Sequence, residues 1–139
     1  MLVGRVGDLA AALGADFEVD TAMVRDAILH ARCANAFYLP VVTKIALFGR
    51  GYEPFDESEF SRRRTTLVTP SGDSLVVKAP GDTVLRKLLW FREGDEVSEK
   101  QWRDVVSVLE ISGHKMYQTY LTSWASRLHI SDLLERARS

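Results

Sequence analysis

Three carboxylates alternate with apolar residues near the start of the chain, at Asp16, Glu18 and Asp20. If this segment is a strand, the alternation places all three acids on one face, close enough to share a divalent cation. A structural interpretation competes with this one, because Phe17 and Val19 would then point to the core while the acids face water and Asp20 caps a helix. The pattern favours the structural interpretation and keeps a metal site at the three acids as the weaker hypothesis.

A run of three arginines, Arg62, Arg63 and Arg64, is a second candidate for chemistry. Planar guanidinium groups bind phosphate in bidentate fashion, and Lys44 and Arg50 would extend such a patch if the fold brings them close. Acids occupy positions 53, 56, 57 and 59, just upstream of the run. Runs of charge with such neighbours are usually neutralised locally, so phosphate binding is the less favoured of two interpretations.

Asp82, Lys87 and Arg92 lie on a helix predicted to begin at Pro80. An acid in the first turn favours the helix dipole, and Lys87 could reach a phosphate. The structural alternative for these side chains is capping and surface ion pairing, worth about 1 kcal/mol or less each. The candidate contacts for a nucleotide or phosphate are therefore Lys44, Arg63, Asp82, Lys87 and Arg92.

No catalytic residue emerges from the remaining side chains. His30 and Cys33 are three apart on a predicted helix, but two ligands do not make a zinc site and the chain has no second cysteine. No Gly-x-Ser-x-Gly elbow for a nucleophile occurs. Arg103 and Asp104 are expected to tie helices together through a partly buried ion pair.

Size and composition favour one soluble domain. A chain of 139 residues buries roughly 68–70% of its unfolded surface, so its core is large enough without a disulfide or metal. The net charge of -1 gives no global field for nucleic acid or membranes, so a nucleic-acid partner is not expected. No apolar run approaches the roughly 18 residues of a membrane helix, and no secretory signal is visible. A single cysteine fits a reducing, cytoplasmic location.

The first part of the chain alternates helical and extended patterns. A first helix is predicted to stop at Gly14, and a second to run from the cap Asp20 to about Arg32. Residues 36–39 and 41–48, separated by Pro40, read as neighbouring strands, and residues 65–68 and 74–77 as a hairpin joined by a turn at 69–73. Between these two pairs of strands, Asp56 and Glu59 have the spacing of a capping box for a short helix.

From Pro80 onwards the pattern is helical. Pro80 suits a first helical position, Ser98 and Gln101 have the spacing of a capping box, and Ser131 is expected to cap a short last helix. The fold prediction is therefore α+β, with a small mixed sheet of four or five strands flanked by helices. It is a single domain over residues 1–139, in which an α/β part covers 1–78 and a helical part covers 79–139.

A longer pattern runs through the helical part, in Pro80-Gly81-Asp82, Trp90-Phe91-Arg92-Glu93-Gly94 and Gln101-Trp102-Arg103-Asp104-Val105. It continues through residues 120–121, 124–125 and 132–137, and more weakly through 17–19 and 56–64. This pattern resembles bacterial minimal nucleotidyltransferase-like proteins, which are distantly similar to the abortive-infection type toxin nucleotidyltransferases. The resemblance covers most of the chain but includes no catalytic signature.

The resemblance implies a mixed sheet flanked by helices and an active site built on a Gly-Ser turn, an Asp-x-Asp pair and a third acid. Those carboxylates would hold two divalent metals that clamp a nucleoside triphosphate. This chain has no Gly-Ser turn followed by such a pair, and Ala46 stands where the third acid is expected. The resemblance also implies that a lysine equivalent to Lys87 faces the nucleotide.

Three functions follow as hypotheses. The first is a nucleotidyltransferase-like domain without a complete catalytic metal site, acting as a binding or regulatory module. The second is an active nucleotidyltransferase that transfers a nucleoside monophosphate to a protein or RNA acceptor, with Mg²⁺ and a nucleoside triphosphate at Asp16, Glu18 and Asp20. The third is an interaction domain whose open sheet edge pairs with a protein partner, a homodimer being the simplest arrangement.

Overall fold

A computed structural model describes residues 3–67, 70, 72 and 74–139 of the chain. The chain divides into two compact units, Met1–Glu57 and Ser58–Ser139, and the boundary falls inside helix α3 (Pro54–Ser61). The division predicted from sequence, after residue 78, lies within the second unit. Among the described residues, no helix is long and apolar enough to cross a membrane.

The first unit contains helices α1 (Val6–Leu13) and α2 (Thr21–Leu29) and strands β1 (Phe17–Val19), β2 (Cys33–Tyr38) and β3 (Thr43–Phe48). Gly14 ends α1 with a φ of 75°, a left-handed conformation that glycine adopts without steric cost. Asp20 caps α2, since its Oδ1 accepts hydrogen bonds from the amides of Ala22 at 2.9 Å and Met23 at 3.0 Å. The predicted stop at Gly14 and cap at Asp20 are both confirmed.

The three strands form an antiparallel sheet in the order β1-β2-β3. Ala34 lies opposite Leu47 and Ala36 opposite Val19, so these side chains share the face that packs on the helices. Together with the helices they build the unit's core, which consists of Val6, Val19, Val24, Ala27, Ile28, Ala34 and Leu47.

Two predicted element boundaries in this unit are wrong. In both cases a residue with a positive φ interrupts the backbone conformation of the helix or strand. Helix α2 stops at Leu29, and Ala31 then adopts a φ of 50°, so Cys33 belongs to β2 and does not share a helix with His30. The strand predicted from residue 41 begins at Thr43, because a 3₁₀ turn occupies Leu39–Val41 and Val42 has a φ of 51°.

The second unit begins within α3 and continues through strands β4 (Arg64–Leu67) and β5 (Ser74–Val77), which pair antiparallel as their own sheet. The predicted hairpin is confirmed in these strands, while Val68, Thr69, Ser71 and Asp73 lie outside the described residues. The prediction of a single sheet of four or five strands is not confirmed. The described strands divide between a three-stranded and a two-stranded sheet, and all described pairings are antiparallel.

Helices α4 (Pro80–Glu93), α5 (Glu99–Ser112), α6 (Gln118–Arg127) and α7 (Ser131–Arg138) complete the second unit. Their apolar stripes supply the fully buried side chains Val84, Leu85, Leu88, Val105, Leu121 and Leu133. Pro80 opens α4, as predicted. Of the predicted capping box the Ser98 half is present, since its hydroxyl accepts the amide of Gln101 at 3.3 Å, while the Gln101 side chain accepts from Lys87 Nζ at 3.5 Å. Ser131, predicted as a cap, is instead the first residue of α7.

Candidate functional site

A fully buried carboxylate lies at the first turn of α4. Asp82 has no exposed surface, and its Oδ1 accepts a hydrogen bond from Tyr120 Oη at 2.6 Å while its Oδ2 accepts one from Arg62 Nε at 3.2 Å. The Ser58 hydroxyl contacts the same Tyr120 oxygen at 2.8 Å. A charge removed from water needs such partners, because an unpaired buried ion costs several kcal/mol.

Burial raises the pKa of Tyr120 to about 12, and the hydrogen bond that Tyr120 donates to Asp82 acts in the same direction. Both effects disfavour the phenolate, the first because it would lose hydration and the second because it would face a carboxylate. The hydrogen bond from Ser58 lowers the pKa but does not outweigh them. Tyr120 is therefore a phenol at neutral pH and stays a donor to Asp82.

The second partner of Asp82 is held on two sides. The guanidinium carbon of Arg62 lies 3.8 Å from the centre of the Tyr120 ring, within cation–π range, and its Nε is engaged with Asp82. In the described part of the chain, no hydrogen bond occupies either Nη nitrogen of Arg62. These contacts fix the orientation of the guanidinium, and its two Nη nitrogens retain N–H groups that can donate to a ligand.

Arg62 also lines a cleft of about 60 Å³, together with Arg64, Lys115 and the start of α4. Arg64 begins β4, and Lys115 ends the 3₁₀ turn Gly113–Lys115 between α5 and α6. No acidic side chain lines the cleft, and neither Arg64 nor Lys115 makes an ion pair with a described residue. Three cations therefore meet at one small concavity.

The backbone adds to this positive field. Ala79, the N-cap of α4, provides no side-chain cap, and Pro80 has no amide hydrogen, so the helix opens on the amides that follow. Gly81 lines the cleft, and a Cβ at this position would lie 3.3 Å from Leu121 Cδ2, tighter than most such contacts. Helix N-termini attract anions through these amides and the helix dipole.

A second buried carboxylate in the same unit is fully engaged in ion pairs. Glu59 Oε1 accepts a hydrogen bond from Lys78 Nζ at 2.7 Å, and Arg86 Nη2 donates to Glu59 Oε2 at 2.9 Å. Sequence reasoning predicted a capping box with Asp56, which is wrong, since Asp56 instead accepts the amide of Glu53 at 3.0 Å. Glu59 therefore links α3 to α4, and both of its carboxylate oxygens are engaged by protein partners.

The candidate contacts on α4 are occupied by protein partners. Lys87 Nζ donates to Asp104 Oδ2 at 2.8 Å, and this hydrogen bond holds the pKa of Asp104 below its usual range. Arg92 Nη2 donates to both oxygens of Asp132 at 2.7 and 2.6 Å, which lowers the pKa of that carboxyl. Asp104 was expected to tie helices together, and it joins α5 to α4 through Lys87.

The other candidates are dispersed. The guanidinium of Arg63 lies 3.7 Å from the centre of the Phe60 ring and does not line the cleft, whereas Lys44 is exposed on β3 in the first unit. Asp16 and Glu18 are exposed, and Asp20 is engaged in capping α2. The described residues contain no group of three or more His, Cys, Asp or Glu side chains that could hold a metal ion.

Sequence reasoning named the arginine run but missed Lys115, Tyr117 and Tyr120 as its neighbours. Lys115 and Tyr117 follow the run by about 50 residues, and only the turn between α5 and α6 brings them to the cleft. Tyr117 is one of these neighbours, and 69% of its surface is exposed. A lysine and an aromatic residue flanking a short interhelical turn were the available signal.

Comparisons of this chain with protein-family models, curated proteins and solved structures found no match. The function therefore has to be inferred from the cleft and its charges.

Proposed function

We propose that this chain is a binding module and that the cleft lined by Arg62, Arg64 and Lys115 takes a phosphate group. Three cationic side chains line a cleft that has no acidic side chain in its lining, and only Arg62 among them is paired with an acid, the buried Asp82. This is the observation that supports the proposal. The protein as a whole is nearly neutral, so this local field is what would select an anion.

The size of the cleft favours one phosphate. A water-sized group needs roughly 10–15 Å³ of such space, so about 60 Å³ holds on the order of four to six of them. That is enough space for a phosphate with its oxygens. A nucleoside carrying the phosphate would lie outside the cleft, where the exposed ring of Tyr117 lines the rim.

The number of positive charges favours a phosphate, which carries about −1.5 to −2 at pH 7, over a single carboxylate. Arg62 offers two Nη nitrogens in fixed orientation, which matches bidentate recognition of a tetrahedral anion, and Lys115 contributes a point charge. On the resemblance to nucleotidyltransferase-like proteins, the phosphate would belong to a nucleotide. The module would bind it without the two-metal chemistry, since Asp20 is committed to capping α2 and Ala46 replaces an acid.

Isothermal titration calorimetry with inorganic phosphate and with each nucleoside monophosphate, in EDTA, tests the proposal. Arg64→Ala and Lys115→Ala should each weaken binding by about fivefold, the equivalent of about 1 kcal/mol for an exposed charge contact. Arg63→Ala is the matched control, because Arg63 belongs to the same run but packs on Phe60 away from the cleft. Affinity should fall as salt rises.

Absence of binding by phosphate and by all the nucleotides would refute the proposal, as would an equal loss in the Arg63→Ala control. The competing hypothesis of an active enzyme is tested separately. Incubation with a labelled nucleoside triphosphate and Mg²⁺ would have to transfer label to a protein or RNA acceptor, with release of pyrophosphate. A transfer that depends on Asp16 and Glu18 would replace the binding-module proposal by the enzymatic one.

A further inference from the structure

Strand β3 leaves one edge of the three-stranded sheet open. In the described part of the chain β3 pairs with β2 alone, and Gly49 N donates to the carbonyl of Arg32 at 2.8 Å in continuation of that register. Hydrogen-bonded pairs alternate along an antiparallel ladder, so the main-chain groups of Ile45 and Leu47 point to β2. Those of Lys44 and Ala46 therefore point away from the sheet.

Exposed apolar side chains occur on β3 and on the turn that precedes it. Ile45 is 37% exposed, and the turn that leads into β3 exposes 68% of Val41 and 79% of Val42. Val42 is a β-branched residue with a φ of 51°, a conformation that is uncommon for such side chains. Of the features that protect sheet edges from pairing, the strand carries a single one, the charge of Lys44, and it contains no acid and no proline.

We propose that a second copy of this chain pairs with β3 in antiparallel orientation, about a two-fold axis that passes between the two Ile45 residues. In this register Lys44 of each copy lies opposite Ala46 of the other, and each such pair exchanges two main-chain hydrogen bonds. The two three-stranded sheets would become one continuous six-stranded sheet. This inference is independent of the proposed phosphate site, which lies in the other unit.

The register follows from the charges and from the end of the strand. An axis through Lys44 would set two lysines directly opposite each other, which is unfavourable, whereas an axis at Ile45 sets each lysine opposite an alanine. Pairing ends at Thr43, because the left-handed conformation of Val42 interrupts the strand. The central pair buries two exposed isoleucines on the face that already carries the core of each sheet.

A second copy is the occupant that this edge fits by itself. Two-fold pairing is self-complementary, since each outward amide meets an outward carbonyl of the same strand in the other copy. The arrangement also closes, because it uses the open edge of both copies and leaves only the three-residue β1 at the outer edges. The expected species is therefore a dimer rather than a fibre.

Disulfide trapping tests the register. The central Ile45 pair is a non-hydrogen-bonded pair with Cα atoms about 4.5 Å apart, a separation that a disulfide spans. In a Cys33→Ser background, which removes the native thiol, Ile45→Cys should form a covalent dimer under mild oxidation. Ala46→Cys is the matched control and should cross-link poorly, since its symmetry mate lies diagonally across. Preferential cross-linking through Ala46→Cys would overturn the register.

Sedimentation velocity on the full chain tests the interface. The wild-type chain should reach the mass of a dimer, and Ala46→Pro should be monomeric with an unchanged circular dichroism spectrum, because the amide it removes points away from β2. A wild-type chain that stays monomeric at its highest soluble concentration would overturn the proposal. So would an Ala46→Pro chain that still dimerises. If Ala46→Pro fails to fold, Ile45→Lys replaces it with the same expected result.

Discussion

The hydroxyl of Tyr120 is the group whose removal tests the buried network most directly. Tyr120→Phe keeps the ring that stacks on Arg62 but deletes the donor to Asp82 Oδ1 at 2.6 Å, leaving that buried oxygen without a partner. A hydrogen bond to a charged group is worth about 1.5–3 kcal/mol, and Asp82 retains its second partner, Arg62. We expect a loss of about 2 kcal/mol in the free energy of unfolding, which at this chain length lowers Tm by roughly 6 °C.

The same network gives a pH dependence of known sign. The pKa of Tyr120 is raised to about 12 in the folded chain, above the value of about 10 for an unfolded tyrosine. The protonated Tyr120 therefore contributes its full stabilisation to the folded state below about pH 10. This contribution to the free energy of unfolding is lost as pH rises from about 10 to 12. Because the ring is only half-buried, solvent screening reduces the loss to roughly 1–2 kcal/mol. The Tyr120→Phe variant should not show this loss of stability between pH 10 and 12.

Urea unfolding followed by tryptophan fluorescence measures the effect in the right unit, since Trp90, Trp102 and Trp124 all lie in Ser58–Ser139. Tyr117→Phe is the matched control: its ring is 69% exposed, and no described side chain bonds its hydroxyl, so its effect should stay within about 0.5 kcal/mol. A Tyr120→Phe chain as stable as the control, with the same decline between pH 10 and 12 as wild type, would refute the network's assigned role.

Two further predictions concern other parts of the chain. Gly49→Ala should destabilise the first unit by about 2 kcal/mol or more by circular dichroism, because its Cβ would overlap the carbonyl of Ala27, while Gly7→Ala, which meets nothing within 4 Å, should be neutral or stabilising by up to about 1 kcal/mol. Lys87→Met should cost about 1 kcal/mol or less at pH 7, because the pair with Asp104 is partly exposed. Because the pKa of Asp104 is lowered in the folded chain, this difference is fully present above the ordinary carboxyl pKa and is lost as pH falls from there through the lowered pKa. Measuring the free energy of unfolding across the acid range checks this.

Local chemistry made the helix starts predictable from sequence. Asp20 caps α2, Pro80 opens α4 and Ser98 caps α5 because each side chain or ring acts on its own helix end, within three residues. The ends were less predictable. Ala31 and Val42 adopt left-handed conformations that nothing in their residue types favours, so α2 was predicted too long and β3 too early.

The grouping of strands could not be read from the sequence either. Four of the five described strands carry β-branched residues, and β2 carries the aromatic residues Phe37 and Tyr38, which identifies strands but not their partners. The register of β2 against β3 places Ala34 and Ala36 on the core face, whereas β4 exposes all four of its residues. The single sheet that was predicted required β4 to join a core to which its side chains make no contribution.

The candidate site likewise contains a part that is visible in the local sequence and a part that depends on contacts between distant residues. The arginine run was visible, but the role of Asp82 depends on Tyr120, which lies 38 residues away along the chain. An acid one residue from the cleft-lining Gly81 would repel a phosphate if it faced the cleft. Because Asp82 is buried between Tyr120 and Arg62, it instead orients the guanidinium of Arg62. The charged side chains that line the cleft are therefore all cationic. If this is how the cleft works, Asp82→Asn should weaken phosphate binding through misplacement of Arg62 even though it removes a negative charge.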